Sequence, residues 1–171
     1  MYKRQVKTIA IYDALKRYGI EDVDKIDTYY IKKNPFVFMA QFVSGLFSDE
    51  KYIVLLSSNG RKVLFPILSF MSRHLNKEVY HYGIGGRLAR EVSEKPSWKK
   101  YVSSFKSNWM ESIELAVQLQ KLGVRNAIYL PNFKKLNILK EDELCTEYSA
   151  PFRFCTFSRV MKEKGIEDAI E

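Results

Sequence analysis

Apolar and polar residues along this chain alternate between two periods, and the alternation predicts helices and strands in turn. Ile11, Ala14, Leu15 and Tyr18 recur at i, i+3, i+4 and i+7, which marks a helix over 5–18 that Gly19 can close. A short strand is expected over 23–28. Residues 34–47 form a helix that is apolar almost all round, through Phe36, Phe38, Met39, Phe42, Val43, Leu46 and Phe47. The run over 52–56 is apolar without alternation, as a strand covered on both faces would be. Ser57-Ser58-Asn59-Gly60 then turns the chain into a helix reaching His74, with Pro66 near its early turns.

The rhythm continues through the middle of the chain. A strand over 78–82 runs into glycines at 83, 85 and 86, and two helices over 86–105 are separated at Lys95-Pro96. A brief strand over 106–109, a helix over 111–122 closed by Gly123, and a strand over 127–130 complete the pattern. Strands separated by helices of this length predict an α/β fold, a Rossmann-like open parallel sheet flanked by helices. The polar stretch over 132–151 interrupts the rhythm and reads as a linker. A further strand, over 152–157, then leads through Ser158-Arg159, a loop carrying Lys164, and Gly165 into a helix start at 166–170.

Charge narrows the partners. The chain has 171 residues and a net charge of +8, from 28 basic against 20 acidic residues, an excess that suits nucleotide diphosphates, anionic lipid surfaces or nucleic acid. The basic residues are scattered as pairs, such as Lys32-Lys33, Lys99-Lys100 and Lys134-Lys135, so a solvated surface is the default reading for most of them. Cys145 and Cys155 are too few and too unpatterned for a metal site or a disulfide framework. No apolar run approaches the ~20 residues that span a bilayer, and a cytoplasmic location is expected.

Candidate chemistry collects at strand ends, where open parallel sheets hold their ligands. His81 closes one strand and can exchange a proton near neutral pH or bond a sugar hydroxyl; it can equally satisfy local backbone groups. Gly83, Gly85, Gly86 and Arg87 form either a turn requiring positive φ or an open floor beneath a ligand. Their spacing lacks the third glycine of a dinucleotide fingerprint, which argues against an NAD(H)-dependent oxidoreductase. Asn59 and Arg61 occupy the equivalent place after the preceding strand, as a plain turn or an acceptor contact. Arg159 and Lys164, five positions apart between a strand and a helix start, can converge on one anion. The apolar helix over 34–47 is either a sheet cover or a ridge that dips into a membrane interface beside Lys32 and Lys33.

Ser158-Arg159-x-x-x-x-Lys164-Gly165, the segment 79–88 and the segment 123–133 occur in the order in which the retaining GT-B glycosyltransferases of bacterial surface polysaccharide synthesis carry similar motifs. The chain resembles that family along nearly its whole length. The resemblance implies a nucleotide-diphosphate sugar donor, a lipid-linked or glycan acceptor, a hexosyl transfer and no bound metal or other cofactor. It implies that Arg159 and Lys164 hold the donor diphosphate and that His81 sits beside the transferred sugar. It further implies that 1–131 is the acceptor-side domain without its first strand and that 152–171 opens the donor-side domain, so that this fragment would be inactive by itself. Peripheral association with an anionic membrane at the inner face of the cell membrane fits a lipid-linked acceptor. The rival reading is a non-catalytic basic α/β module for nucleotides or nucleic acid. Against nucleic acid, no strand interleaves aromatics with Arg and Lys as RNA-binding sheets do.

Overall fold

A computed structural model describes residues 6–26, 34–131 and 140–143. The chain divides into two compact units, Met1–Lys135 and Leu136–Glu171. In the second, the described residues form one 3₁₀ turn, Glu141–Glu143, with the Lys140 amide donating to Glu143 Oε2 at 2.9 Å.

The first unit follows the alternation read from the sequence. Its elements are α1 (Val6–Arg17), α2 (Pro35–Ser48), β1 (Lys51–Val54), α3 (Ser58–His74), β2 (Glu78–Gly83), α4 (Arg87–Glu94), α5 (Pro96–Ser104), β3 (Ser107–Met110), α6 (Ile113–Lys121) and β4 (Ala127–Tyr129). Local chemistry sets the helix starts. Asn34, Ser57 and Ser112 each accept a hydrogen bond from an amide of the first turn they cap. Pro96 takes the first position of α5, where a missing N–H costs nothing. Gly123, at φ 88°, ends α6, in a left-handed conformation that an L side chain resists.

The four strands form one all-parallel sheet in the order β1-β2-β3-β4. Each strand lies beside the one that follows it in sequence, and right-handed crossovers then place every connecting helix on the same face. The core agrees, since Phe65 and Leu68 of α3, Leu88 and Val92 of α4, Trp98 and Val102 of α5 and Leu115 and Leu119 of α6 belong to one cluster with Val79, Met110 and Ala127 of the sheet. On the opposite face, Tyr82 is buried, with Lys7 Nζ of α1 5.3 Å from its ring centroid. Tyr80 and Trp109 stack beside it, ring centroids 5.2 Å apart, and remain half-exposed.

Three sequence readings are corrected. Residues 23–26, expected to begin a strand, are irregular, and 27 and 28 lie outside the described residues. Glu21, Asp22 and Asp24 leave too few apolar positions there to give a strand an apolar face. The run over 52–56, expected to be covered on both faces, forms a strand only over Lys51–Val54, which pairs with β2 alone among the described residues and is half-buried along its apolar part. Pro66 is in the middle of α3 rather than its early turns, because the helix begins at Ser58. The strand expected over 152–157 and the helix start at 166–170 lie outside the described residues.

Candidate functional site at the carboxyl edge of the sheet

Because the strands are parallel, all four end on one edge, and the turns leaving them gather there. The first turn of α3 follows β1. Ser57 Oγ accepts from the Gly60 amide at 3.3 Å, and Asn59 is exposed beside it. The loop after β2 carries Ile84, Gly85, Gly86 and Arg87, all exposed. Gly83, at the strand end, is packed so closely that a Cβ would lie 2.7 Å from Met110 Cε, whereas one at Gly85 or Gly86 would meet open space. Gly85 has φ 78°, a left-handed conformation that glycine adopts without strain, whereas at Gly83 the flexible end of Met110 would have to shift to admit a side chain. No side chain caps the amino end of α4 at Gly86.

Beneath this loop the interior is polar. Arg61 turns inward from the first turn of α3 and is only 1% exposed. Its Nη2 donates to Glu91 Oε2 of α4 at 2.8 Å and to Ser58 Oγ at 3.2 Å, and Nη1 reaches the Leu56 carbonyl at 3.5 Å. The pair ties the helix that follows β1 to the helix that follows β2. Arg61 Nε has no hydrogen-bond partner among the described residues.

His81 is wholly buried, its ring edge-on to Phe65 at 4.9 Å between centroids. Its Nδ1 lies 3.2 Å from Asn108 Oδ1, on the neighbouring strand and directly across in register. Asn108 Nδ2 donates to the Val102 carbonyl at 2.8 Å, which fixes the amide with its oxygen towards the imidazole. The proton of His81 therefore sits on Nδ1, and Nε2 is a bare lone pair with no partner among the described residues. Burial, and then the nearby Arg61 charge, lower the His81 pKa from 6.5 to about 3, while the Asn108 bond works the other way. His81 is neutral across the physiological range.

At the ends of β2 and β3, Lys7 of α1 forms an ion pair with Glu111, and burial lowers the Lys7 pKa. This contact holds α1 over the sheet.

The structure thus brings Asn59, Gly83, Gly85, Gly86 and Arg87 to one edge and sets His81 and Arg61 below it in the interior. Arg159 and Lys164 lie outside the described residues. Sequence reading missed Asn108 and Glu91. Glu91 carried a signal, because it shares a helical stripe with buried Leu88 and Val92. Asn108 carried one too, as a polar residue at an inward strand position. Among the described residues there is no group of three or more His, Cys, Asp or Glu side chains able to hold a metal, and no helix is long and apolar enough to cross a membrane.

No protein-family model matches the chain, and neither curated proteins nor solved structures give a match.

Proposed function

We propose that this chain is part of a retaining glycosyltransferase that moves a hexose from a nucleotide-diphosphate sugar to a lipid-linked or glycan acceptor. One observation carries the reading: parallel strands of a Rossmann-like sheet bring the segments around Asn59 and around Gly83–Arg87 to the same edge, where such sheets bind ligands. The motif order Gly83–Arg87, Pro131-Asn132 and Ser158-Arg159 to Lys164-Gly165 supports it.

In this reading Arg159 and Lys164 neutralise the diphosphate as it leaves, and their charge is worth most where negative charge develops. The side-chain-free loop at Gly85 and Gly86 offers backbone N–H groups and Arg87 to the acceptor side. His81 acts from below. Its bond to Asn108 fixes the end of β2 under the loop, and its bare Nε2 meets a sugar hydroxyl only if the loop opens.

The test is transfer of radiolabelled sugar from UDP- and GDP-sugars to a lipid-linked acceptor fraction, using the product of the complete gene. Arg159→Ala and Lys164→Ala should each lower turnover by roughly 100-fold or more, the scale of losing one charge-stabilising donor. Absence of both transfer and nucleotide binding overturns the reading.

A further inference from the structure

We propose that the outer face of the helical layer, where an apolar ridge on α3 runs into a basic band shared by α3, α5 and α6, docks on an anionic lipid bilayer. The ridge follows from helical periodicity. Phe65, Leu68 and Met71 turn one side of α3 into the core. Val63, Ile67 and Phe70, at i, i+4 and i+7, share the other side and are 65%, 40% and 57% exposed. The Phe70 ring lies against His74, one turn further on, with centroids 4.8 Å apart.

The band is assembled by the fold from residues far apart in sequence. Arg73, on the turn after Phe70, donates through Nη2 to the Lys100 carbonyl of α5 at 2.5 Å. Lys62 and Arg73, at i and i+11, share one flank of α3. Lys99 reaches the end of α6, where its Nζ lies 2.7 Å from the place of a Cβ on Gly123. Lys121 and Arg125 stand on either side of that glycine in sequence. These basic side chains are all exposed, and none forms an ion pair among the described residues.

Little acid is left on this layer to neutralise the band. α3 and α5 contain no Asp or Glu, and neither do residues 115–131. On α4, Glu91 is taken by Arg61 and Glu94 by Arg90. Glu114 stands in the first turn of α6, at the opposite end of that helix from Lys121. Arg73, Lys121 and Arg125 stand where α3 and α6 hand over to the amino ends of β2 and β4. That is the opposite edge from the turns around Asn59 and Gly85, so docking there needs no assumption about transfer chemistry.

The two halves of the surface together identify the partner. Basic side chains are drawn to anionic headgroups, and apolar side chains gain by leaving water at the boundary between headgroup and acyl chain. Nucleic acid satisfies only the basic half, because Val63 and Ile67 offer it neither a stacking ring nor a hydrogen bond. The helix α2 satisfies only the apolar half. It exposes Phe36 and Phe47, 86% and 76%, but none of its 14 residues is charged.

Cosedimentation of the whole chain with phosphatidylcholine vesicles, with and without phosphatidylserine, tests the docking. Binding is expected to the anionic vesicles alone, and should weaken as added salt screens the charges. Lys99→Gln with Lys100→Gln should weaken it about thirtyfold, and Phe70→Ser at least about tenfold. Both variants change exposed side chains and should keep the wild-type far-UV circular dichroism. In a Cys145→Ser, Cys155→Ser background, an environment-sensitive dye attached through Phe70→Cys should shift to the blue on anionic vesicles, and one attached through Asn59→Cys should not. Equal binding to neutral vesicles, no binding to anionic ones, indifference to either variant, or a dye shift at Asn59 rather than Phe70 overturns the docking. RNA binding that survives Phe70→Ser, without vesicle binding, would assign the band to nucleic acid and also overturn it.

Discussion

Two residues under the carboxyl edge set the chemistry of the interior, and each leads to a prediction. His81 is buried neutral, with a pKa lowered to about 3 from 6.5. Its folded-state pKa lies below its unfolded value, so between those two values the unfolded chain binds the proton first. The stability this contributes is complete above about pH 6.5 and declines as pH falls towards 3. The loss over that window is on the order of 4 kcal/mol. Thermal melts between pH 7 and 4 should show the decline. Ring ¹⁵N shifts should report the Nδ1–H tautomer down to about pH 4, and an imidazole titrating near its ordinary value would refute the assignment. Arg61 makes the companion case. Its ion pair with Glu91 is buried on the Arg side, where a guanidinium without its partner keeps the cost of desolvation. Glu91→Ala should therefore destabilise the fold by about 3 kcal/mol, measured by urea unfolding, whereas an exposed change such as Glu94→Ala should lie within about 0.5 kcal/mol of wild type.

At the scale of elements, caps and breaks were legible and packing was not. Asn34, Ser57, Ser112, Pro96 and Gly123 mark boundaries because they act on their own backbone within a turn, and the helices begin or end where those residues stand. The expected strand at 23–28 failed over 23–26 because a strand needs a neighbour and an apolar face, and neither is encoded in three acidic residues around Val23. Pro66 shows tertiary structure overriding propensity. It lies exposed inside α3 and removes one backbone bond, yet the helix continues because Phe65, Leu68 and Met71 anchor its inner face in the core. Pro66→Ala should restore that bond and raise stability by about 1–2 kcal/mol, less than the full cost of an internal proline because the unfolded chain also gains freedom. A melting temperature unchanged or lower than wild type would count against this account of α3.

For the whole molecule, the sequence determined the alternation of helix and strand, the parallel sheet that alternation requires, and the glycine-rich turns at strand ends. Each of these follows from short-range periodicity, capping and backbone freedom. Only the tertiary structure decided the sequential strand order, which gathers the crossover helices and the core on one face and leaves Tyr80 and Trp109 half-exposed on the other. It also decided that His81 and Arg61 turn inward to Asn108 and Glu91, 27 and 30 residues away in sequence. The same holds for α2, whose apolar pattern suits a buried helix as well as an exposed one. The physical reason is common to all three. Periodicity identifies which side of an element is apolar, but which neighbour covers that side depends on contacts between residues far apart in the chain.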